Sequence, residues 1–317
     1  MSGARGDRVG AQSRERLLAI VGPTASGKTS VAMRVAESVG GEIVTCDSVQ
    51  VYRRFEIGCA KAMEPERRRV PHHLIDLVDW DEPFDAQRYR ELAVEVITEV
   101  RSREAVPILC GGAGLYLRAL RFGLVDAPPS DAAIRQRLLA EEAEEPGSLY
   151  RRLREVDPAT AERTEPANLV HVARALEIFE QTGRTASEMR GEHGFSHELV
   201  SMRVVALRWS DERLRRRIGQ RSAEMIQRGL LAEVERLLGA GVSPDARPMR
   251  AVGYREACEV VRGEASSDGL GDRIAQATWS YARRQRTWLR REPDVEWVDV
   301  DSIAELDEVA DRLIALR

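Results

Sequence analysis

Apolar residues in this chain occur in two textures. Short unbroken runs, Leu17-Leu18-Ala19-Ile20-Val21, Ile43-Val44-Thr45-Cys46, Val106-Pro107-Ile108-Leu109-Cys110 and Val204-Val205-Ala206-Leu207, are bounded by turn residues. Runs of this kind predict strands buried on both faces, as in a parallel sheet. A further strand is predicted over 296–300. Between the runs, apolar positions recur at helical spacing. Val31, Val35 and Val39 lead to a stop at Gly40-Gly41. Tyr89, Leu92, Val96 and Val100 form a stripe behind Asp85 as N-cap, with Phe84 and Tyr89 as a hydrophobic staple. Alternation of strand and helix predicts an α/β fold with a parallel sheet flanked by helices. The stretch from Gln50 to Val70 reads as irregular.

The texture changes near Asp126. Pro128-Pro129 breaks the chain, and charge-rich helical sequence follows to about His197. Asn168 opens an amphipathic helix with Leu169, Val172, Ala173, Leu176 and Phe179 on one face, stopped at Gly183. This predicts an inserted helical subdomain over 126–202, within a core built from 16–125 and 203–317. An arginine-rich helix near 211–228 and further helices complete the core. Residues 1–15 are polar and lack an apolar signal core, which predicts a disordered start without an export signal. No apolar run approaches the roughly 20 residues that span a bilayer, so a cytoplasmic protein without membrane contact is expected. No internal repeat is present.

The first predicted strand runs into Gly22-Pro23-Thr24-Ala25-Ser26-Gly27-Lys28-Thr29, which matches G-x-x-x-x-G-K-[ST] at every fixed position. In that motif backbone amides cradle an anion, the Lys neutralises the outer phosphates and the hydroxyl after it binds Mg²⁺. Strand, glycine loop and helix stand in the order that aims a helix N-terminus at an anion. Composition sharpens the point. Of 48 basic residues only Lys28 and Lys61 are lysines, so a compact ammonium appears where guanidinium is the rule. The fold class is therefore a P-loop NTPase-like parallel core carrying a helical insertion.

Other chemistry is sparser. Asp47, at the end of the second strand, can bind Mg²⁺, orient a hydroxyl or remove a proton from a nucleophile. His72-His73 has no third ligand at metal spacing. Cys46, Cys59, Cys110 and Cys258 form no CxxC pair and read as reduced thiols. A net charge of −4 argues against wholesale nucleic-acid affinity. Over 272–291, however, Ile274, Thr278, Tyr281, Gln285 and Trp288 follow helical spacing toward the protein, while Arg283, Arg286 and Arg290 share another stripe beside Arg284 and Arg291. Trp279, Tyr281 and Trp288 interleave with them, a pattern suited to nucleic-acid phosphates. The cluster Arg213, Arg215, Arg216, Arg217 and Arg221 is diluted by Asp211, Glu212 and Glu224. Two enzyme classes remain open: a P-loop kinase of small molecules or nucleotides, and a transferase with a diphosphate donor in the loop and a larger anionic acceptor. A switch NTPase would want a Walker-B Asp, but the strand at 106–110 ends in Gly111-Gly112.

Taken together, these segments resemble the bacterial tRNA dimethylallyltransferases, in the same order from about residue 17 to 299. The markers are Gly22–Thr29, Asp47–Tyr52, Ile57–Lys61, Pro71–Asp76, Gly111–Tyr116, Arg174–Glu177, Val252–Arg255 and Arg283–Arg290. The resemblance implies transfer of a dimethylallyl group from dimethylallyl diphosphate to the exocyclic amine of the adenosine 3′ to a tRNA anticodon, with Mg²⁺ assisting. The acceptor base would be flipped out of its stack. Prenylation of a free adenine nucleotide is the alternative within the same chemistry.

The resemblance further implies roles. Asp47 would deprotonate the amine, Lys28, the loop amides and Arg250 would neutralise the leaving diphosphate, and Thr29 would bind Mg²⁺. The anticodon stem-loop would meet Asp47, Ser48, Val49, Gln50, Ala113, Arg135, His171, Arg250, Gly253, Tyr254, Arg255, Arg283, Arg284, Gln285, Arg286 and Arg290, with the insertion helping to grip it. No obligate protein partner is expected, and a monomer is. Departures from the family pattern are Ala113 for a Thr, Cys59 for a Thr, Ala62 for a Pro, Leu169 to Val172 after Asn168 where Asp-Pro-x-Arg is usual, and Trp279 after Thr278 for an Arg.

Overall fold

The computed structural model describes residues 16–195 and 197–315; the expected disordered start over 1–15 lies outside them. Chain contacts divide the molecule into two compact units, one formed by residues up to Arg121 and from Val200 onward, the other by Phe122–Leu199.

The larger unit is built on a six-stranded sheet. Its elements are β1 (Leu17–Val21), α1 (Lys28–Val39), β2 (Gly41–Cys46), α2 (Glu64–Arg69), β3 (His72–His73), α3 (Ala86–Ser102), β4 (Val106–Gly111) and α4 (Gly114–Phe122). The smaller unit contributes α5 (Ala132–Glu144), α6 (Ser148–Val156), α7 (Pro158–Ala161), α8 (Leu169–Thr182) and α9 (Ala186–His193). The chain then returns with β5 (Met202–Arg208), α10 (Asp211–Gln227), α11 (Leu230–Gly239), α12 (Tyr254–Val261), α13 (Leu270–Leu289), β6 (Val295–Asp299) and α14 (Ile303–Ala315).

Strand order is β3-β2-β4-β1-β5-β6, and every pairing is parallel. β1 and β2 are buried along nearly their whole length, which is why their sequences read as apolar runs without alternation. With β1 flanked by β4 and β5, the C-terminal ends of β1, β2 and β4 gather at one edge. Ligands collect at that edge of open α/β sheets.

Two helical faces and two further helices differ from the sequence reading. α3 buries Ala93 and Ile97 with Tyr89 and Val100, while Leu92 and Val96 are half-buried. α8 buries Ile178 where Phe179 was expected. The irregular stretch before Val70 contains α2, and α14 extends beyond the last predicted strand. α14 buries Leu306, Val309, Ala310 and Leu313 in the cluster that holds Val31 and Val35 of α1, and Asp307 and Asp311 pair with Arg34.

The smaller unit has its own core of Leu138, Leu149, Leu153, Val172, Leu176 and Met189. Glu177, fully buried in this core, is matched by Arg135 at 2.9 Å and Arg174 at 3.2 Å. A buried charge is tolerated when paired in this way. No described helix is long and apolar enough to cross a membrane.

Candidate active site

The phosphate loop leaves β1 at Gly22 and enters α1 at Lys28. Gly27 makes the turn at φ 87°, a left-handed conformation that costs a side-chain-bearing residue about 1 kcal/mol or more. Two long-range bonds fix the loop from outside. The Trp209 indole donates to Ser26 O at 2.8 Å, and Arg217 Nε donates to Ala25 O at 2.7 Å. The first amides of α1 have no partner within the helix and face the loop's concavity, as helix N-termini do. Not every loop amide is available, however. Thr24 N donates to Gln285 Oε1 at 2.9 Å and Ser26 N to Pro23 O at 3.2 Å.

Asp47 stands where β2 ends. Its Oδ1 accepts from Val49 N at 2.8 Å and Gln50 N at 3.2 Å, folding Ser48 to Gln50 into a turn around the carboxylate. β4 presses close beside it. A Cβ on Gly111 would lie 2.0 Å from Cys46 O, so only glycine fits. That contact lets Gly112 N and Ala113 N both donate to Cys46 O at 3.1 Å. Gln285 of α13 then ties the two loops together, because its Nε2 donates to Gly112 O at 3.1 Å while Oε1 holds Thr24.

These elements border a cavity of about 320 Å³. Thr24, Asp47 and Ser48 line one part, with Arg221, Arg247, Arg250 and Arg284 the cationic part. Val49, Met225, Val252, Ile274 and Tyr281 supply apolar surface. Arg247 is anchored to Phe84 O, and Arg250, mostly exposed, reaches Asp245 at 3.4 Å. Arg221 is different: it is half-buried on α10, its Nε is buried without a partner, and no carboxylate pairs with it among the described residues. Burial pulls the Arg221 and Lys28 cations below their ordinary values, Arg221 lowers Lys28 further, and Asp47 opposes both shifts. Two partly buried cations that repel each other define a site that an anion would stabilise.

The thiols point the other way. Burial pushes Cys46 and Cys59 up to about 12 and Cys110 to about 11, so each is a neutral thiol at physiological pH and not a nucleophile. Lys61, the second lysine, is a structural cation. Its side chain is buried and donates to Tyr52 O and Asp76 Oδ1, both at 2.7 Å. His73 Nε2 lies 2.6 Å from Glu42 Oε2, and His72 Nδ1 lies 2.8 Å from Val70 O.

The structure brings together Gly22 to Thr29, Asp47 to Val49 and Arg250 around one end of the sheet. Several of the residues expected at the RNA are buried or engaged within the protein. Tyr254 is fully buried, set edge-on to Phe55 at 5.1 Å between ring centres and bonded to Glu233, so it has no surface to offer an RNA. Gly253 is buried beneath it and caps α12. Gln285 is buried between the two loops. Trp279, read as interleaved with surface arginines, is a core residue covered by Arg215 at 4.1 Å. Tyr281 and Trp288 are half-buried. Along α13, Arg283, Arg284 and Arg290 are exposed, while Arg286 turns to Asp211. Gln50 is held by Cys59 O at 3.1 Å, and Arg255 is exposed beside Glu256. Arg135 and His171 belong to the smaller unit, Arg135 engaged by Glu177 and His171 exposed. Arg221 is the residue that sequence reasoning undervalued. Its signal, an arginine one turn after apolar Ile218 on the inner face of α10, was masked by the acidic residues nearby.

Comparison with known proteins identifies a family for the chain. The IPP transferase family model matches residues 50–292. The tRNA dimethylallyltransferase 2 of Geotalea uraniireducens is 45% identical over 293 residues, covering 92% of this chain and 94% of that protein. The tRNA dimethylallyltransferase of Sorangium cellulosum is 47% identical over 276 residues, covering 86% and 87%. Among solved structures, the tRNA isopentenylpyrophosphate transferase of Bacillus halodurans matches with TM-score 0.69 and 32% identity, over 95% of this chain and 96% of that one. A eukaryotic dimethylallyltransferase solved acting on tRNA matches with TM-score 0.77 and 26% identity, over 95% and 78%. With a P-loop-type parallel core, a cationic cavity beside Asp47 and a family match across most of its length, this chain belongs to the IPP transferase family.

Proposed function

We propose that the protein transfers a dimethylallyl group from dimethylallyl diphosphate to the exocyclic amine of the adenosine 3′ to a tRNA anticodon. The observation that carries this reading is the presence, in the lining of one cavity, of both the Asp47 carboxylate and the unpartnered Arg221 guanidinium. One group suits an incoming amine and the other a departing anion.

The bond between the amine nitrogen and C1 of the prenyl group forms as the C1–O bond to diphosphate breaks. The amine proton passes to Asp47, whose Oδ1 is held by two amides so that the carboxylate keeps its orientation. Negative charge grows on the diphosphate, and Lys28, Arg221 and Arg250 neutralise it. Preorganised charge at the leaving group is commonly the largest catalytic term. The apolar residues Met225, Val252 and Ile274 form a surface for the prenyl chain.

No cluster of three or more His, Cys, Asp or Glu side chains among the described residues could hold a metal ion. The Thr29 hydroxyl, at the start of α1, would be the protein ligand for Mg²⁺, an ion that keeps several waters and needs few protein ligands. When bound there, the ion would add positive charge at the diphosphate.

The free cations Arg283, Arg284 and Arg290, with His171 in the smaller unit, are the proposed RNA contacts. Ala113 supplies no hydroxyl near the acceptor, a loss of about 0.5–1.5 kcal/mol that weakens and does not abolish binding. Nucleoside mass spectrometry tests the proposal, using pure protein, Mg²⁺, dimethylallyl diphosphate and unmodified tRNA with adenosines across the site, and AMP in parallel. A prenylated adenosine in tRNA alone is expected. Product from AMP alone would move the acceptor to a free nucleotide. ATP consumption without prenyl transfer would support a kinase.

A further inference from the structure

Trp288 carries an observation that the transfer reaction leaves unused. It stands on α13 among arginines, yet its ring is built into the fold on one side. A Cβ on Gly114 would lie 2.3 Å from the indole, and the Arg118 guanidinium sits 4.7 Å from the ring centre. Arg118 is itself held by Glu292, a buried residue, at 2.7 Å. The indole is therefore fixed in orientation before anything binds.

The same ring lines an open surface groove of about 390 Å³ with Ser280, Arg283, Arg284, Thr287 and Arg291. Arg283, Arg284 and Arg291 have no carboxylate partner among the described residues, whereas Arg118, Arg135 and Arg286 each have one. Unpaired guanidiniums around a rigid, half-exposed indole match the chemistry of a single-stranded nucleotide. The base stacks on an aromatic face while its phosphates meet cations. A protein partner would want acidic side chains here and would have no use for a preset ring plane.

Resting on the proposed RNA acceptor, we infer that this groove is a stacking subsite for an unpaired base of the RNA other than the one modified, with Trp288 as its platform. The subsite adds affinity for open loops over duplex.

The test measures fluorescence anisotropy on two RNAs: a hairpin with an open, adenosine-rich loop, and its stem as a blunt duplex. Trp288→Leu should weaken hairpin binding roughly tenfold or more while duplex binding stays within about twofold. Trp288→Phe keeps an aromatic face and the packing on Gly114. It should hold hairpin affinity within about threefold and lose part of the tryptophan quenching that the hairpin causes in the wild type. Equal hairpin affinity in Trp288→Leu and wild type would overturn the subsite, as would an equal loss on both RNAs with Trp288→Phe behaving the same way. If wild-type protein still prenylates tRNA in that case, the proposed function survives and only the subsite fails. Failure of wild-type protein to bind the hairpin at all would overturn both.

Discussion

Substituting Asp47 by Asn separates two jobs that one carboxylate performs. Oδ1 accepts from Val49 N at 2.8 Å and Gln50 N at 3.2 Å, and neither bond uses Oδ2. In Asp47→Asn the amide oxygen must keep the Oδ1 place, because an NH₂ there would face two N–H donors. The turn over 48–50 survives, and the group facing the cavity changes from a proton acceptor to a donor. General-base assistance is worth about 10²–10⁴ in rate, or ~3–5 kcal/mol of barrier. Single-turnover prenylation should fall by that factor, with donor and RNA affinities within about threefold of wild type. Asp47→Ala removes both jobs. It should add a stability loss of about 2–4 kcal/mol for two amides that lose a charged acceptor, read as a shift in urea midpoint. Turnover in Asp47→Asn within about tenfold of wild type would refute the proton-transfer role. So would a loss of RNA affinity as large as the loss of turnover.

Arg221→Gln should raise the KM for dimethylallyl diphosphate and lower kcat/KM about 10–100-fold, as expected for one charge-assisted contact to a phosphate, with thermal stability unchanged or higher since a desolvated cation is removed. Gln285→Leu should destabilise the protein by about 1–2 kcal/mol through loss of two neutral hydrogen bonds, seen in denaturant unfolding, and should weaken donor binding by loosening Thr24. Glu42 is held down at about 2 by Arg103 first, with His73 adding to the effect against burial. A carboxylate depressed in the fold stabilises it above its unfolded value near 4.5 and loses that contribution as pH falls toward 2. Glu42→Gln should therefore cost ~2 kcal/mol at pH 7, allowing for the water around Arg103, and the gap to wild type should close below pH 4 in urea titrations. Cys46, Cys59 and Cys110 should resist iodoacetamide at pH 8 in the native protein and react once urea unfolds it, counted by mass spectrometry.

Much of the site was legible because its signals are local. A glycine loop between an apolar run and a helical repeat needs only neighbouring residues to define it, and Asp47 follows from where β2 stops. The faces of α3 and α8 were legible to within one position. Their stripes contain alternatives, such as Leu92 against Ala93 and Phe179 against Ile178, that differ by about 100° around a helix. Which side meets the sheet depends on the neighbour's shape.

The sequence by itself determined five of the six strands, the helices α1, α3, α8, α10 and α13, the phosphate loop, the acid at the end of β2 and the family markers, because each rests on spacing within a few residues. Tertiary structure alone decided which residues of those markers reach solvent. Tyr254, Gln285 and Trp279 carry polar or aromatic groups that suit an RNA surface, yet all three are buried by elements far away in the chain; Gln285 and Gly112 are 173 positions apart. Arg221 shows the converse, a residue lost in a mixed-charge helix until packing leaves its guanidinium facing a cavity without a partner. Local pattern sets what a segment can become. Burial and pairing between distant segments, which no local pattern encodes, set what each side chain is free to touch.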